Sequence, residues 1–284
     1  GTEVFMPIDL DNLAVNAVVS STFPMDMAYH RHSLGGNYLV SRLTGGIGAA
    51  SSSAASKRNW LTPYDTAAED TGSNGLYFSV FNNSFALAGN GADPGTSYVM
   101  SYQFKRASGF MDVVAYTGNG TAGATQAHNL GVAPEMMIVK QRDAIQIGLV
   151  YNKTITASKY LSLFGAGNSA AAADTGGFNG TEPTASVFTL GFYGNVNANG
   201  GTYIAYLFAT LAGVSKVGSY TGTGADLNVD CGFTAGARWI MIKRTDSTGD
   251  WYLWDSVSGI SVGNDPYWIV NTTAAPVTNT DYID

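Results

Sequence analysis

One cysteine, Cys231, stands in 284 residues, so no intramolecular disulfide can hold the fold. In its glycine-rich strand context it reads as a small buried hydrophobe. Charge is also scarce. Fourteen Lys+Arg against 21 Asp+Glu give a net charge of −7, and charged residues make up 12% of the chain, about half the usual share. No basic run of five occurs. With an acidic sum, this argues against an electrostatic grip on nucleic acid, which needs clustered Lys and Arg. No stretch of 18 apolar residues occurs either, so membrane insertion is not expected. The start, Gly1-Thr2-Glu3-Val4-Phe5, has no Met and no signal-peptide pattern, as in a processed or partial start.

What is present is glycine, 35 residues in all, and aromatics at 12%. The aromatics supply a core, so the chain is not disordered. Small polar residues with Gly, Thr, Asn and Tyr match the composition of β-rich extracellular or virion proteins.

Internal repetition carries more. Tyr116-Thr117-Gly118-Asn119-Gly120 recurs 104 residues later as Tyr220-Thr221-Gly222-Thr223-Gly224. Met136-Met137-Ile138-Val139-Lys140 pairs with Trp239-Ile240-Met241-Ile242-Lys243, and Asp143 stands opposite Asp246, 103 residues on. A more diverged copy lies upstream, with His30-Arg31-His32 over Lys243-Arg244-Thr245 and Gly45-Gly46-Ile47 on Ser258-Gly259-Ile260. Ser84-Phe85-Ala86-Leu87 matches Val187-Phe188-Thr189-Leu190, and Tyr102-Gln103-Phe104 matches Tyr206-Leu207-Phe208. The expectation is three units of about 104 residues: a diverged unit at 1–108, a second at 109–212, and an incomplete third at 213–284. The units should superpose with Tyr116 on Tyr220, Lys140 on Lys243 and Asp143 on Asp246. No linker is expected between them.

Strand signals dominate. Met136–Lys140 and Leu149–Tyr151, like Trp239–Lys243 and Tyr252–Trp254, are short apolar runs across polar turns, which makes hairpins. Val187–Phe192 and Thr202–Phe208 flank a turn at Asn195–Gly201. Ser51–Lys57 and Ser169–Asp174 are small-residue loops or single helical turns. The predicted class is all-β, with a sandwich or jelly roll in each unit.

The order Tyr-Thr-Gly-x-Gly, apolar strand ending in Lys, Trp/Tyr-rich strand, Phe-Thr-Leu-Gly, Asn-x-Asn-Gly-Gly and Tyr-Ile-Ala-Tyr resembles an uncharacterised repeat domain of marine and cyanobacterial phage virion proteins of the tail-fibre kind. The resemblance covers units two and three well and unit one in part. That family usually shows Trp where this chain has Gly148 and Tyr38. The resemblance implies a non-enzymatic virion structural protein, a tail fibre or host-attachment component on the particle surface. Its partners would be other virion proteins, further copies of itself (a trimer if a fibre) and a host-surface glycan. It supplies no catalytic residues. The alternatives are a secreted carbohydrate-binding module or adhesin, and a glycan depolymerase.

Catalytic and metal motifs are weak. His30 and His32 share a strand face at a metal-compatible spacing, yet read as solvated hairpin residues; His128 has no nucleophile beside it. Asp9/Asp11, Glu69/Asp70 and Asp246/Asp250 are the carboxylate pairs that glycan hydrolysis would require. Asp143 and Asp246, recurring in register, suit turn capping. Asp70–Gly75 lacks the terminal Glu of a calcium loop, and Gly118-Asn119-Gly120 lacks the Lys-Ser/Thr of a phosphate loop. No metal or cofactor is expected. The candidate sugar-stacking rings are Trp251, Tyr252, Trp254 and Trp268. Finally, residues 213–284 lack counterparts of Val187–Phe192 and Thr202–Phe208. The expectation is that a continuing chain, or failing that a neighbouring subunit, completes them.

Overall fold

Short runs rich in aromatic and β-branched residues become strands throughout. The computed structural model describes residues 3–10, 18–32, 37–44, 47–48, 59–71, 75–79, 84–88, 98–165, 167–260 and 262–283. The protein is all-β. Strands are β1 (Phe5–Asp9), β2 (Val18–Ser20), β3 (Met27–His32), β4 (Asn37–Ser41), β5 (Ile47–Gly48), β6 (Gly75–Ser79), β7 (Ser84–Ala88) and β8 (Tyr98–Phe104). There follow β9 (Met111–Thr117), β10 (Ala124–Ala127), β11 (Met136–Gln141), β12 (Gly148–Asn152), β13 (Lys159–Leu163), β14 (Ala172–Ala173), β15 (Val187–Leu190) and β16 (Thr202–Phe208). Last come β17 (Trp239–Lys243), β18 (Trp251–Asp255) and β19 (Trp268–Ile269). One helical turn, α1 (Gly194–Asn197), sits in the loop before β16, where the sequence predicts only a turn.

Three main sheets each contain one antiparallel hairpin pair, β3-β4, β11-β12 and β17-β18. The first runs β1-β8-β3-β4; the second holds β9-β16-β11-β12 and extends to β13 and β14; the third is β17-β18-β19. In the first, Met27 faces Phe104 on one side and Ser41 on the other. In the second, Met136 faces Phe208 and Asn152. In the third, Trp239 faces Asp255. Met27, Met136 and Trp239 therefore hold one ladder position, and Arg31, Lys140 and Lys243 another.

Ladder-equivalent residues also share a face. Tyr29 and Ile138, and with them Leu39, Val150 and Leu253, enter one apolar core common to the three sheets, against which Met241 packs. The opposite face of the first sheet packs Ala28 and Val40 with Val19 of β2. That of the second packs Met137, Val139, Leu149 and Tyr151 under Phe188 and Leu190 of β15 and Val196 of α1. The sheets β2-β7-β6-β5 and β10-β15 are thus the second layers. On the third sheet, all five residues of β17 are half-buried, whereas β11 is buried at every position after Met136. Among the described residues β17 pairs only with β18.

Several expectations are corrected. By strand pairing Arg31 and Asn37, rather than the expected His30 and Tyr38, hold the ladder position that Lys243 and Trp251 hold in β17 and β18. His30 is not a solvated hairpin residue but is fully buried in β3; nothing is described of the His32 side chain. Tyr116 is buried in β9, whereas Tyr220 is 51% exposed and outside any strand, so the two do not occupy equivalent places. Cys231 is half-exposed rather than buried. Ala172–Ala173, expected in a loop or helical turn, is a two-residue strand on β13. Ser51–Lys57, Gly45, Gly46, Asp11 and Gly72–Asn74 lie outside the described residues.

Burial of His30 has a pH consequence. Desolvation pushes its pKa from 6.5 down to about 3, because burial disfavours the imidazolium. Between those values the unfolded chain takes up a proton that the folded chain refuses. Stability from this group is therefore complete above pH 6.5 and is lost as pH falls toward 3, by up to about 5 kcal/mol. Urea unfolding of His30→Gln across that range is expected to show a shallower pH slope than the parent; an unchanged slope would exclude His30 as the titrating group.

Candidate functional site

The loop 59–71 leaves the first sheet and returns over the second. Trp60 and Asp70 bridge each other across it, with backbone hydrogen bonds of 3.2 and 3.0 Å. Leu61 pairs with Leu39 of β4 at 2.8 and 3.0 Å. Pro63 lends conformational restriction, and its carbonyl accepts from the Phe164 amide. Asp65 holds the next turn, its Oδ1 accepting from Thr62 Oγ1 and, at 2.9 Å, from the Ala67 amide. A loop fixed to a rigid scaffold is where binding residues concentrate.

The far side of the loop is tied to the second sheet. The Glu69 amide donates to the Arg142 carbonyl, and the Arg142 guanidinium returns 2.7 and 3.1 Å bonds to Glu69 Oε2. Lys140 Nζ donates to Thr66 O at 3.3 Å and to Gln141 O at 3.0 Å. Burial lowers this ammonium's pKa to about 8. Gly165, at φ +92°, lies so close that an added Cβ would collide with Thr66 Cγ2. Glycine is required there on both counts.

Between these attachments lies a cleft of about 510 Å³, within the range of small-molecule sites. Its rings are Tyr38, Trp60 and Tyr64; its carboxylates are Asp65, Glu69 and Asp70. Tyr38 and Trp60 meet edge to face at 6.0 Å, and all three rings are half-buried. Burial, with Tyr38, Asp65 and Asp70 nearby, pushes the Tyr64 hydroxyl up to about 12. Burial also raises the Glu69 carboxyl against the opposing pull of Arg142. Glu69 is 7% exposed in its side chain, and its Oε2 also accepts from Asn59 Nδ2 at 3.3 Å. Among the described residues no Lys, Arg or His lines the cleft.

The rings expected to stack on sugars lie elsewhere. Trp251, Trp254 and Trp268 are 3%, 5% and 4% exposed, so none offers a free face, and the sugar-stacking assignment is corrected for these three. Trp251 Nε1 donates to Ser162 O at 2.8 Å, and Trp268 lies under the Arg31 guanidinium at 4.4 Å. Tyr252 is half-buried and packs on Trp254 and Tyr267 at 6.0 and 5.4 Å.

Of the carboxylate pairs, Glu69 and Asp70 both line the cleft, and Asp11 lies outside the described residues. Asp9 is exposed on β1, Asp246 pairs with Arg244 at 2.7 Å, and Asp250 accepts from Asn271 at 2.9 Å. Asp143, expected to cap its own turn, reaches instead to the start of β16, its Oδ2 accepting from the Thr202 amide at 2.9 Å and its Oδ1 from Gln141 Nε2 at 2.9 Å. His128 Nε2 meets Thr184 O at 3.1 Å beside Phe188. No group of three metal-ligating side chains occurs among the described residues. Sequence reasoning did not single out Trp60 and Tyr64. The local signal was Asn-Trp-Leu-Thr-Pro-Tyr-Asp at 59–65, an aromatic pair around Pro in a non-periodic segment.

The chain belongs to the family described as Domain of unknown function (DUF7483), whose model matches residues 61–282. The match takes in the cleft loop from Leu61 onward and both later sheets. Searches of curated proteins and of solved structures returned no match.

Proposed function

We propose that this chain is a non-enzymatic structural protein of a phage virion, a tail-fibre or surface-attachment component that contacts a host-surface glycan. In this reading it is built of units of about 104 residues. The observation that carries it is the shared core, where Tyr29, Ile138, Leu39, Val150 and Leu253 meet from three sheets. Sheets locked through one core hold a binding surface at fixed geometry, as an attachment part must. Low charge lets further surfaces associate with little ion desolvation. Among the described residues β17 pairs only with β18, and its other edge offers N–H and C=O groups for strand addition, which favours a homo-oligomer, a trimer in a fibre, among other virion proteins.

The cleft supports binding over hydrolysis. Glu69 is engaged by Arg142 and Asp65 by its own loop, so both serve the fold. Antibody against the recombinant chain should decorate the surface of phage particles from the source culture, and the chain should release no reducing sugar from host polysaccharide. Label confined to secreted bacterial material would favour the carbohydrate-binding module instead; reducing ends would favour the depolymerase.

A further inference from the structure

We infer that the outer edge of β17 accepts one antiparallel strand from a different polypeptide, of the kind that β8 and β16 form: a mostly apolar strand ending Tyr-x-Phe. This goes beyond the attachment reading and holds whatever particle or surface carries the chain.

Two sheets show what belongs beside such a strand. β3 lies between β4 and β8, and β11 between β12 and β16. Met27 faces Phe104, Tyr29 faces Tyr102 and Arg31 faces Met100, just as Met136 faces Phe208, Ile138 faces Tyr206 and Lys140 faces Ile204. Met100, Tyr102, Phe104, Ile204 and Tyr206 are buried in the common core, and Phe208 packs against it. β17 repeats β11 after 103 residues and keeps its register, Trp239 facing Asp255 as Met136 faces Asn152. On its other side no strand lies among the described residues, and the backbone of Trp239–Lys243 makes no bond there. Trp239 and Met241 pack against the common core but stay half-buried. A Phe opposite Trp239 and a Tyr opposite Met241 would extend that core over both, while the added backbone satisfies the edge N–H and C=O groups.

A second observation points to the same strand. On its far side β16 pairs with β9, where Tyr116 faces Tyr203 and stacks on it at 5.0 Å. The copy of Tyr116–Gly120 is Tyr220–Gly224. There residues 218–230 are exposed at every position, and among the described residues 218–232 hydrogen-bond only with one another. Both neighbours of β16 thus recur in sequence, at Tyr220 and at β17, and each stands without it. Tyr-x-Phe occurs in the 284 residues only at 102–104 and 206–208, and β8 and β16 are each paired on both sides. A second copy has no such strand to give without opening a sheet, so the strand belongs to a different chain. Association of copies through other faces is left untouched.

A peptide of the Thr202–Phe208 sequence, flanked by lysines for solubility, tests this on the full chain. Hydrogen exchange read by mass spectrometry is expected to slow about tenfold or more in 239–243 on peptide addition, and also in 216–221, with β9 and β11 unchanged. The peptide carrying Tyr206→Asp is expected to bind about tenfold more weakly or worse, because it would bring a charge against the core. A scrambled peptide is expected to do nothing. Only the peptide is varied, so the fold of the chain is not at risk. No slowing in 239–243, slowing confined to the second sheet, or an equal effect of the scrambled peptide overturns the proposal. Protection of 239–243 that grows with the concentration of the chain alone assigns the edge to a second copy and overturns it too. Particle labelling does not depend on this edge, so failure here leaves the attachment reading standing, and absence of label leaves the strand result standing.

Discussion

Arg31→Ala is expected to destabilise the protein by about 4 kcal/mol and to loosen residues 262–283 first. Arg31 is fully buried. Its Nη1 donates to Tyr29 Oη and Ile269 O at 3.2 Å, and its Nη2 to Ala274 O at 3.3 Å. The guanidinium stacks on Trp268 at 4.4 Å. Its ladder partner Asn37 adds 2.8 and 3.0 Å bonds to the Val270 and Thr272 carbonyls. The C-terminal segment thus gains its carbonyl partners from the first sheet. Truncation removes the packing of the long stem and leaves acceptors without donors, each costing about 1–3 kcal/mol if they stay dry. A cavity beside Trp268 adds to this.

Arg31→Met separates the two effects. The guanidinium has no carboxylate partner within salt-bridge reach among the described residues, so its charge is buried at a cost that Met removes. Met also fills most of the volume. The expected loss is smaller, about 1–2 kcal/mol. Urea denaturation gives both values, and limited proteolysis should show new cuts in 262–283 for the Ala variant. A Met variant more stable than the parent would mean that desolvation outweighs the ties.

The same residue explains what the sequence could and could not reveal. The hairpins Met136–Tyr151 and Trp239–Trp254 were legible because apolar runs alternate with polar turns of plain chemistry. The expected alignment of residues 30–40 on 243–253 is one residue off the strand ladders because β3 is buried on both faces from Met27 to Arg31. A strand buried on both faces has no alternation to fix register, and His30 and Arg31 look like turn residues. The tryptophans were misplaced for a related reason. Whether Trp251 is covered depends on Ser162 of β13 and the shared core, which no local pattern encodes. The cleft was illegible because Tyr38 and Trp60 meet only through the Leu39–Leu61 bridge. Loops carry no period, so their rings cannot be assigned a face from spacing.

Gly118→Ala and Gly222→Ala, the same substitution at repeated Tyr-Thr-Gly-x-Gly positions, are expected to differ by about 3 kcal/mol. At Gly118 a Cβ would collide with the Ala198 carbonyl oxygen and lie 2.9 Å from Asn197 C and 3.0 Å from Tyr203 Cε2. The Gly118 backbone is pinned there by bonds to Gly200 and Gly201 of 2.9 Å each. Asn197 is held by its own side chain, with Nδ2 on Thr121 O at 2.9 Å and Gly191 O at 3.0 Å. The clash falls on fixed backbone, and overpacking of this kind costs about 2–4 kcal/mol. At Gly222 nothing lies within 4 Å of an added Cβ, and its φ is not positive. Alanine there should be neutral, or stabilising by about 0.5 kcal/mol through the unfolded chain. The cause is topological. In the second sheet β9 lies beside β16, whereas among the described residues no strand lies beside Tyr220 and its neighbours. Thermal or urea unfolding of the two variants checks this. A large loss for Gly222→Ala that grows with protein concentration would mean instead that the segment pairs with another copy in solution.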